Sequence, residues 1–224
     1  MASEATASGL RHYYAAVGNK EAKLVTLLEL LQTVQASTRR PLAVSCSSRD
    51  ALDSVAYTLL RSRKFAVTAI HSDLTEKERE LALADFRRCA VGAGSTTESH
   101  ADSSRDGDQE GAAGRDVLGV SQLREGEQFV SVLVLTDVCL KALPKELLPV
   151  GVSVLVEFDL PPSKEVYARR VSTLFGSGRD RRSQRRVVID MVEAGSIGAF
   201  RALESFVASP VLEMPVRVED MFAQ

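Results

Sequence analysis

Four short polar clusters, each closing an apolar run, hold the residues of this 224-residue chain whose types and spacing could do chemistry. Ser47-Ser48-Arg49 follows the run 41–45, His71-Ser72-Asp73 follows 65–70, and Thr136-Asp137 follows 130–135. Glu157-Phe158-Asp159-Leu160-Pro161 closes 151–158, and Glu165, Tyr167, Arg169 and Arg170 come shortly after. In an open α/β sheet, sites lie beyond the carboxyl ends of the strands. A hydroxyl from Thr136 and guanidiniums from Arg49 and Arg79, gathered at such an edge, can hold a phosphate backbone without reading its bases. Each piece also has a plainer role. A Thr-Asp after a strand is a turn or helix cap, and Arg49 and Arg79 are helix charges that pair with acids.

Other chemistries are missing from these residues. No GxxxxGK[ST] loop, HExxH or GxSxG occurs. His12, His71 and His100 are scattered, and Cys46, Cys89 and Cys139 form no CxxC pair, so no metal site is expected. Gly92, Gly94, Gly107, Gly111 and Gly114 fall in one acidic stretch, not between a strand and a helix, so they are no dinucleotide fingerprint.

The elements that must position these clusters follow from periodicity and caps. Residues 10–17 fit a short edge strand, and 20–35 a helix with Leu24, Leu27, Leu28 and Leu31 on one side. Ser48 is placed to cap a helix over 49–63. Thr75 with Glu78 three residues on predicts a capping box opening a helix over 76–88. The runs 130–135 and 151–158 are nearly unbroken apolar, as suits central strands covered on both faces. Ser163 caps a helix to about Phe175, 187–192 is a further strand, 197–207 a last amphipathic helix, and the tail with Pro210 and Pro215 is docked but irregular. Strands alternating with helices in this way predict a three-layer α/β domain with a mostly parallel sheet.

One domain over 10–224 is expected after a flexible N-terminus at 1–9. It is interrupted at about 90–127 by a Gly, Ser and acid-rich insertion expected to be disordered. Residues 98–127 carry eight acidic and three basic side chains, a local net of -5. The whole chain is at -2, so no global basic field recruits nucleic acid, and any such binding must come from a local patch. The run 176–186, GSGRDRRSQRR, is the strongest basic stretch; it is either a patch beside Arg169 and Arg170 or a solvated loop. With no apolar stretch near the roughly 18 residues of a membrane span, no signal-peptide core at the N-terminus and unpaired cysteines, an intracellular protein, cytoplasmic or nuclear, is expected.

Taken in order, His71-Ser-Asp73-Leu-Thr-Glu-Lys-Glu-Arg79, Asp85-Phe86-Arg87-Arg88, Thr136-Asp137, Glu157-Phe158-Asp159-Leu160-Pro161 and Glu165-Val-Tyr167-Ala-Arg169-Arg170 resemble the second, C-terminal RecA-like domain of the DEAD-box RNA helicases. The likeness is greatest to the branch of translation initiation factor 4A. It extends from about Leu10 to the LESFVASPVLEMP close. It implies a P-loop NTPase-like fold and an edge that touches RNA through Arg49, Arg79, Thr136, Asp137 and, in the place of an arginine, Lys141. It suggests a surface patch formed by Arg169, Arg170, Arg179, Arg181, Arg182, Arg185 and Arg186.

The departures from the family pattern are specific. Where the family has the acid that holds the ATP ribose, this chain has Pro144, and where it has two arginine fingers, Thr173 and Gly176. Such a finger is worth roughly 10³–10⁵ in rate, and Lys141 keeps charge but loses the planar fork. The phosphate loop and Asp-Glu-Ala-Asp box of the first helicase domain are not found. These departures imply a degenerate domain with no catalytic residues, no cofactor of its own (ATP and Mg only if a partner completes the site) and no autonomous ATPase. Its expected partners are single-stranded RNA, or scaffold proteins that bind helicase C-terminal domains, and no membrane. Two alternatives stay open: a subunit completing an RNA helicase in trans, and a pure protein-interaction module.

Overall fold

A computed structural model describes residues 9–38, 40–92, 129–175 and 186–222. Seven strands form one all-parallel sheet. They are β1 (Leu10–Val17), β2 (Leu42–Cys46), β3 (Phe65–Ile70), β4 (Val130–Thr136), β5 (Val154–Glu157), β6 (Arg186–Glu193) and β7 (Val211–Glu213). Their spatial order is β3-β4-β2-β5-β6-β1-β7. Every residue of β2, β4 and β5 is buried, as unbroken apolar runs in the centre of a doubly covered sheet require.

The helices are α1 (Lys20–Thr38), α2 (Arg49–Ser62), α3 (Glu76–Gly92), α4 (Asp137–Lys141), α5 (Lys164–Phe175) and α6 (Ile197–Phe206). Alternation along the strands divides the core in two. On one face Leu27, Leu31 and Val34 of α1 and Leu52, Val55 and Leu59 of α2 pack with Val44, Val134, Val156 and Ile189. On the other, Leu83 and Phe86 of α3, Cys139 and Leu140 of α4, and Leu174 and Phe175 of α5 pack with Ala43, Leu133, Leu155 and Val188. Each fully buried side chain of this size contributes about 1.5–3 kcal/mol.

The caps form as their residue types demand. The Ser48 hydroxyl accepts from the Ala51 N–H at 3.2 Å. Thr75 and Glu78 close their box through Thr75 N–H to Oε2 at 2.7 Å and Glu78 N–H to the Thr75 hydroxyl at 3.3 Å. The Thr75 N–H and the Thr75 hydroxyl, which both donate to the Glu78 carboxylate, hold it below the usual range.

Three expectations are corrected. β1 is not at the edge, because the tail supplies β7 beyond it, and His12, Tyr13 and Tyr14 align with Val211, Leu212 and Glu213. The tail is therefore partly regular; three residues are too few to show a period in sequence. β5 begins only at Val154, since Val150 and Gly151 bond the end of α5 (N–H to the carbonyls of Thr173 and Leu174, 3.0 and 2.9 Å) rather than a neighbouring strand. α3 runs to Gly92, and the rest of the expected insertion, 93–127, lies outside the described residues. Among the described residues no helix is long and apolar enough to cross a membrane.

Candidate functional site

The carboxyl ends of β2, β4 and β3 are neighbours, and the clusters that follow them share one edge of the sheet. Arg49, the first residue of α2, reaches from beyond β2 to beyond β3. Its Nη1 donates to Asp73 Oδ2 at 2.6 Å while Nε donates to both oxygens of Asp53 at 2.8 and 2.9 Å. Since β4 lies between those strands, Thr136-Asp137 stands at the same carboxyl edge of the sheet as the Arg49–Asp73 bridge. The bridge is open to solvent, with side-chain exposures of 34% for Arg49 and 71% for Asp73. The Ser72 hydroxyl bond and the guanidinium together depress the Asp73 carboxyl. His71 is buried with its Nδ1 3.9 Å from Asp73 Oδ2, and desolvation and the Arg49 charge lower its pKa. Arg79 turns one guanidinium nitrogen back to the Leu74 carbonyl at 2.8 Å.

At the end of β4 the Thr136 side chain is buried and its hydroxyl lies 3.3 Å from Cys139 Sγ. Asp137 is gripped by Arg170 of α5 in a two-pronged pair, Nε to Oδ1 at 2.7 Å and Nη2 to Oδ2 at 2.9 Å. The same guanidinium donates to the Asp159 carbonyl at 2.8 Å and stands 3.5 Å from Glu157 Oε1. Burial opposes the Arg170 charge, but Asp137 and Glu157 outweigh it and its pKa is raised. Asp159 in turn accepts from the Ser47 N–H and hydroxyl, both at 2.8 Å, and from Lys23 at 3.4 Å. Lys23 is buried, bonds Glu193 at 2.7 Å, and lies 4.6 Å from the centre of the Phe158 ring, a cation–π contact. One buried arginine thus ties the carboxyl ends of β4 and β5, one buried lysine ties those of β5 and β6, and Asp159 carries the tie to β2 through Ser47.

Behind Arg170 the sheet interior is ionisable. Glu157 and Asp190 face each other across β5 and β6, and both are fully buried. Desolvation, then their mutual repulsion, lifts Glu157 far above the ordinary range, and desolvation lifts Asp190 to about 6. His12 of β1 has Nδ1 3.9 Å from Asp190 and Nε2 3.0 Å from the Tyr167 hydroxyl; burial lowers it to about 4.

The structure brings Arg49, Asp73, Thr136 and Asp137 to one edge of the sheet, with Arg79 in the first turn of α3 and Lys141 exposed at the end of α4. Of the expected basic patch, only Arg169, Arg170 and Arg186 lie among the described residues. Arg170 is 0% exposed and committed to Asp137, Asp159 and Glu157, so it is withdrawn from any surface patch. Arg186 is likewise buried at the start of β6, and Arg169 is half-buried. Arg179, Arg181, Arg182, Arg185 and Gly176 lie outside the described residues. Pro144 precedes a turn of 3₁₀ helix at Lys145–Leu147, and Thr173 is buried in α5 with its carbonyl bonded to the Val150 N–H. Sequence reasoning missed Lys23, His12 and Asp190. Lys23 was the one charge on the apolar stripe of α1, one position before Leu24, and Asp190 was the one acid within an apolar run; both were legible signals.

No protein-family model matches the chain. The chain is 26% identical over 219 residues, 97% of its length, to eukaryotic initiation factor 4A-3 of Nicotiana plumbaginifolia. It spans 42% of that relative. Among solved structures it superposes on the C-terminal domain of the DEAD-box protein Dbp5 with a TM-score of 0.61 and 19% identity, covering 96% of this chain and 95% of that one. It also superposes on the DEAD-box protein SrmB of E. coli, in a complex with the regulator of ribonuclease activity RraA, with a TM-score of 0.60 and 17% identity over 95% and 93% of the two chains.

Proposed function

For a chain that is related to the DEAD-box RNA helicases and folds as their C-terminal RecA-like domain, we propose a binding role in RNA metabolism without ATP hydrolysis of its own. The observation that carries this reading is a contrast between two positions. Arg49 keeps a half-exposed cation at the carboxyl edge that also carries Thr136-Asp137, whereas the position resembling the first arginine finger is Thr173, buried within α5. A side chain without charge, packed in a core, cannot stabilise developing charge on a phosphoryl group. Pro144 in the place of the ribose-holding acid offers no acceptor for a sugar hydroxyl either.

RNA would be held through its phosphates, by Arg49 with Arg79 and Lys141, and not through base edges. A phosphate reaching Arg49 must compete with Asp73 and Asp53, so the contact is weak by construction. That same neutralisation favours a second reading, a protein-docking module, and the SrmB complex with RraA is an instance of a related fold holding a protein. Steady-state release of phosphate from Mg-ATP by the purified chain, with and without single-stranded RNA, tests the absence of activity. No turnover above the protein-free rate is expected; RNA-stimulated turnover that Thr173 or Pro144 substitutions alter would overturn it.

A further inference from the structure

The densest group of titratable side chains outside that edge lies in the sheet interior beneath α5. The register aligns Ser45 with Glu157, Glu157 with Asp190, and Asp190 with Tyr14 across β2, β5, β6 and β1. Aligned residues on neighbouring strands share a face, and Ser45, Glu157 and Asp190 are all fully buried there. The charged and titratable groups facing the two acids are His12 from β1, Tyr167 and Arg170 from α5, and Asp137 at the head of α4 on the far side of Arg170. Arg170 is the one cation among them, and its hydrogen bonds go to Asp137 and the Asp159 carbonyl.

None of the four carboxylate oxygens of Glu157 and Asp190 accepts a hydrogen bond from another described residue. The two side chains nevertheless stand side by side, aligned across β5 and β6 on one buried face. Two ionised carboxylates cannot bond, because neither has a donor. A proton on one makes it a donor to the other and removes one of two buried negative charges that share a single guanidinium. We propose that Glu157 and Asp190 hold one proton between them at neutral pH, and that this proton sets how firmly Arg170 grips Asp137 and the Thr136-Asp137 corner. The site binds a hydron and no other ligand; atoms balance as one carboxylate and one carboxylic acid joined by an O–H···O bond.

The consequence for Arg170 follows from charge alone. With one proton in place, the pair carries one negative charge and Arg170 is divided between it and Asp137. A second proton, taken up on acidification near the raised pKa of Asp190 at about 6, empties the interior of negative charge and leaves Arg170 to Asp137. Loss of the first proton doubles the inner charge and draws Arg170 away from the corner. His12 stays neutral through this range, because burial holds it near 4. The inference concerns the interior and stands whether or not the edge binds RNA.

Infrared spectroscopy of the whole chain at neutral pH reads the proton directly, since exposed carboxyls are then ionised. The expected result is a protonated-carboxyl carbonyl band that Glu157→Gln abolishes; Gln keeps the shape and supplies the donor permanently. Should that variant fail to fold, Asp190→Asn is measured in its place with the same expectation. Amide exchange at 136–141, corrected for intrinsic base catalysis, should quicken with rising pH in the wild type and be flat in the variant. Absence of the band, its survival in the variant, or identical exchange profiles would overturn the proposal.

Discussion

Replacing Arg170 by Met should destabilise the chain more than any other single charge removal among the described residues. The Arg170 side chain is 0% exposed, as is that of Glu157, and Asp137 is only 19% exposed. Deletion leaves Asp137 without its fork and the Glu157–Asp190 pair without its facing cation. At 3.5 Å and an effective dielectric of roughly 20, the Arg170–Glu157 attraction alone is about 5 kcal/mol per unit charge, before the cost of burying both groups is subtracted. Breaking a buried pair by removing one partner costs about 3–5 kcal/mol in practice, because the survivor is left uncompensated. For a domain of this size each 1 kcal/mol lowers Tm by about 2–4 °C, so a fall of about 6–20 °C is expected. Urea titration followed by circular dichroism measures it at equilibrium. Arg170→Lys should recover less than half, since an ammonium cannot make the two-pronged bond to Asp137 and reach the Asp159 carbonyl together. Adding Asp137→Asn to Arg170→Met should restore part of the stability by removing one orphaned charge. A loss under about 1 kcal/mol for Arg170→Met would refute the reasoning, because it would mean that the acids find water or protons at little cost.

Other outcomes follow from the same geometry. His12 is depressed from 6.5 to about 4, so its contribution is present above pH 6.5 and lost as pH falls through 4. His12→Gln should remove about 3 kcal/mol of acid lability between those values, measured by urea midpoints across a pH series. The raised carboxyls act in the opposite direction: the folded chain binds the extra protons, so stability falls as pH rises from the ordinary carboxylate range through about 6. Glu157→Gln should flatten that slope in the same series. Asp73→Asn releases one arm of Arg49 and should tighten single-stranded RNA binding a few-fold, read by fluorescence anisotropy; weaker binding would show that Asp73 itself contacts the ligand. Ser48→Ala should cost about 1 kcal/mol, as the loss of a helix cap does, with Tm as the readout.

Much of the fold was legible because its strands are buried on both faces and its helices announce themselves at their caps. The run 65–70 became β3 at both of its ends, and Ser48 and Thr75 opened α2 and α3 as their side chains require. β7 was not legible, since its three residues owe their strand geometry to pairing with β1 and not to any local pattern. At the edge, the ordered clusters marked which residues stand beyond the strands. The partners they choose there were hidden, because an arginine eleven residues after Asp159 reads equally well as a surface charge or a buried clamp. Arg170 took the second course because α5 turns it inward over Asp137 and Glu157. Lys23 and Asp190 broke the apolar pattern around them, and such breaks mark buried charge pairs as well as surface.

The central claim is that this domain engages RNA through an ATP-indifferent phosphate-binding edge. Equilibrium binding of a labelled single-stranded RNA over a salt series, with and without Mg-ATP, tests it most directly. The account predicts binding that weakens linearly in the logarithm of salt, with a shallow slope for about two or three phosphate contacts, unchanged by Mg-ATP and reduced by Arg49→Glu. Affinity that rises with Mg-ATP, or no binding even at low salt, would contradict it.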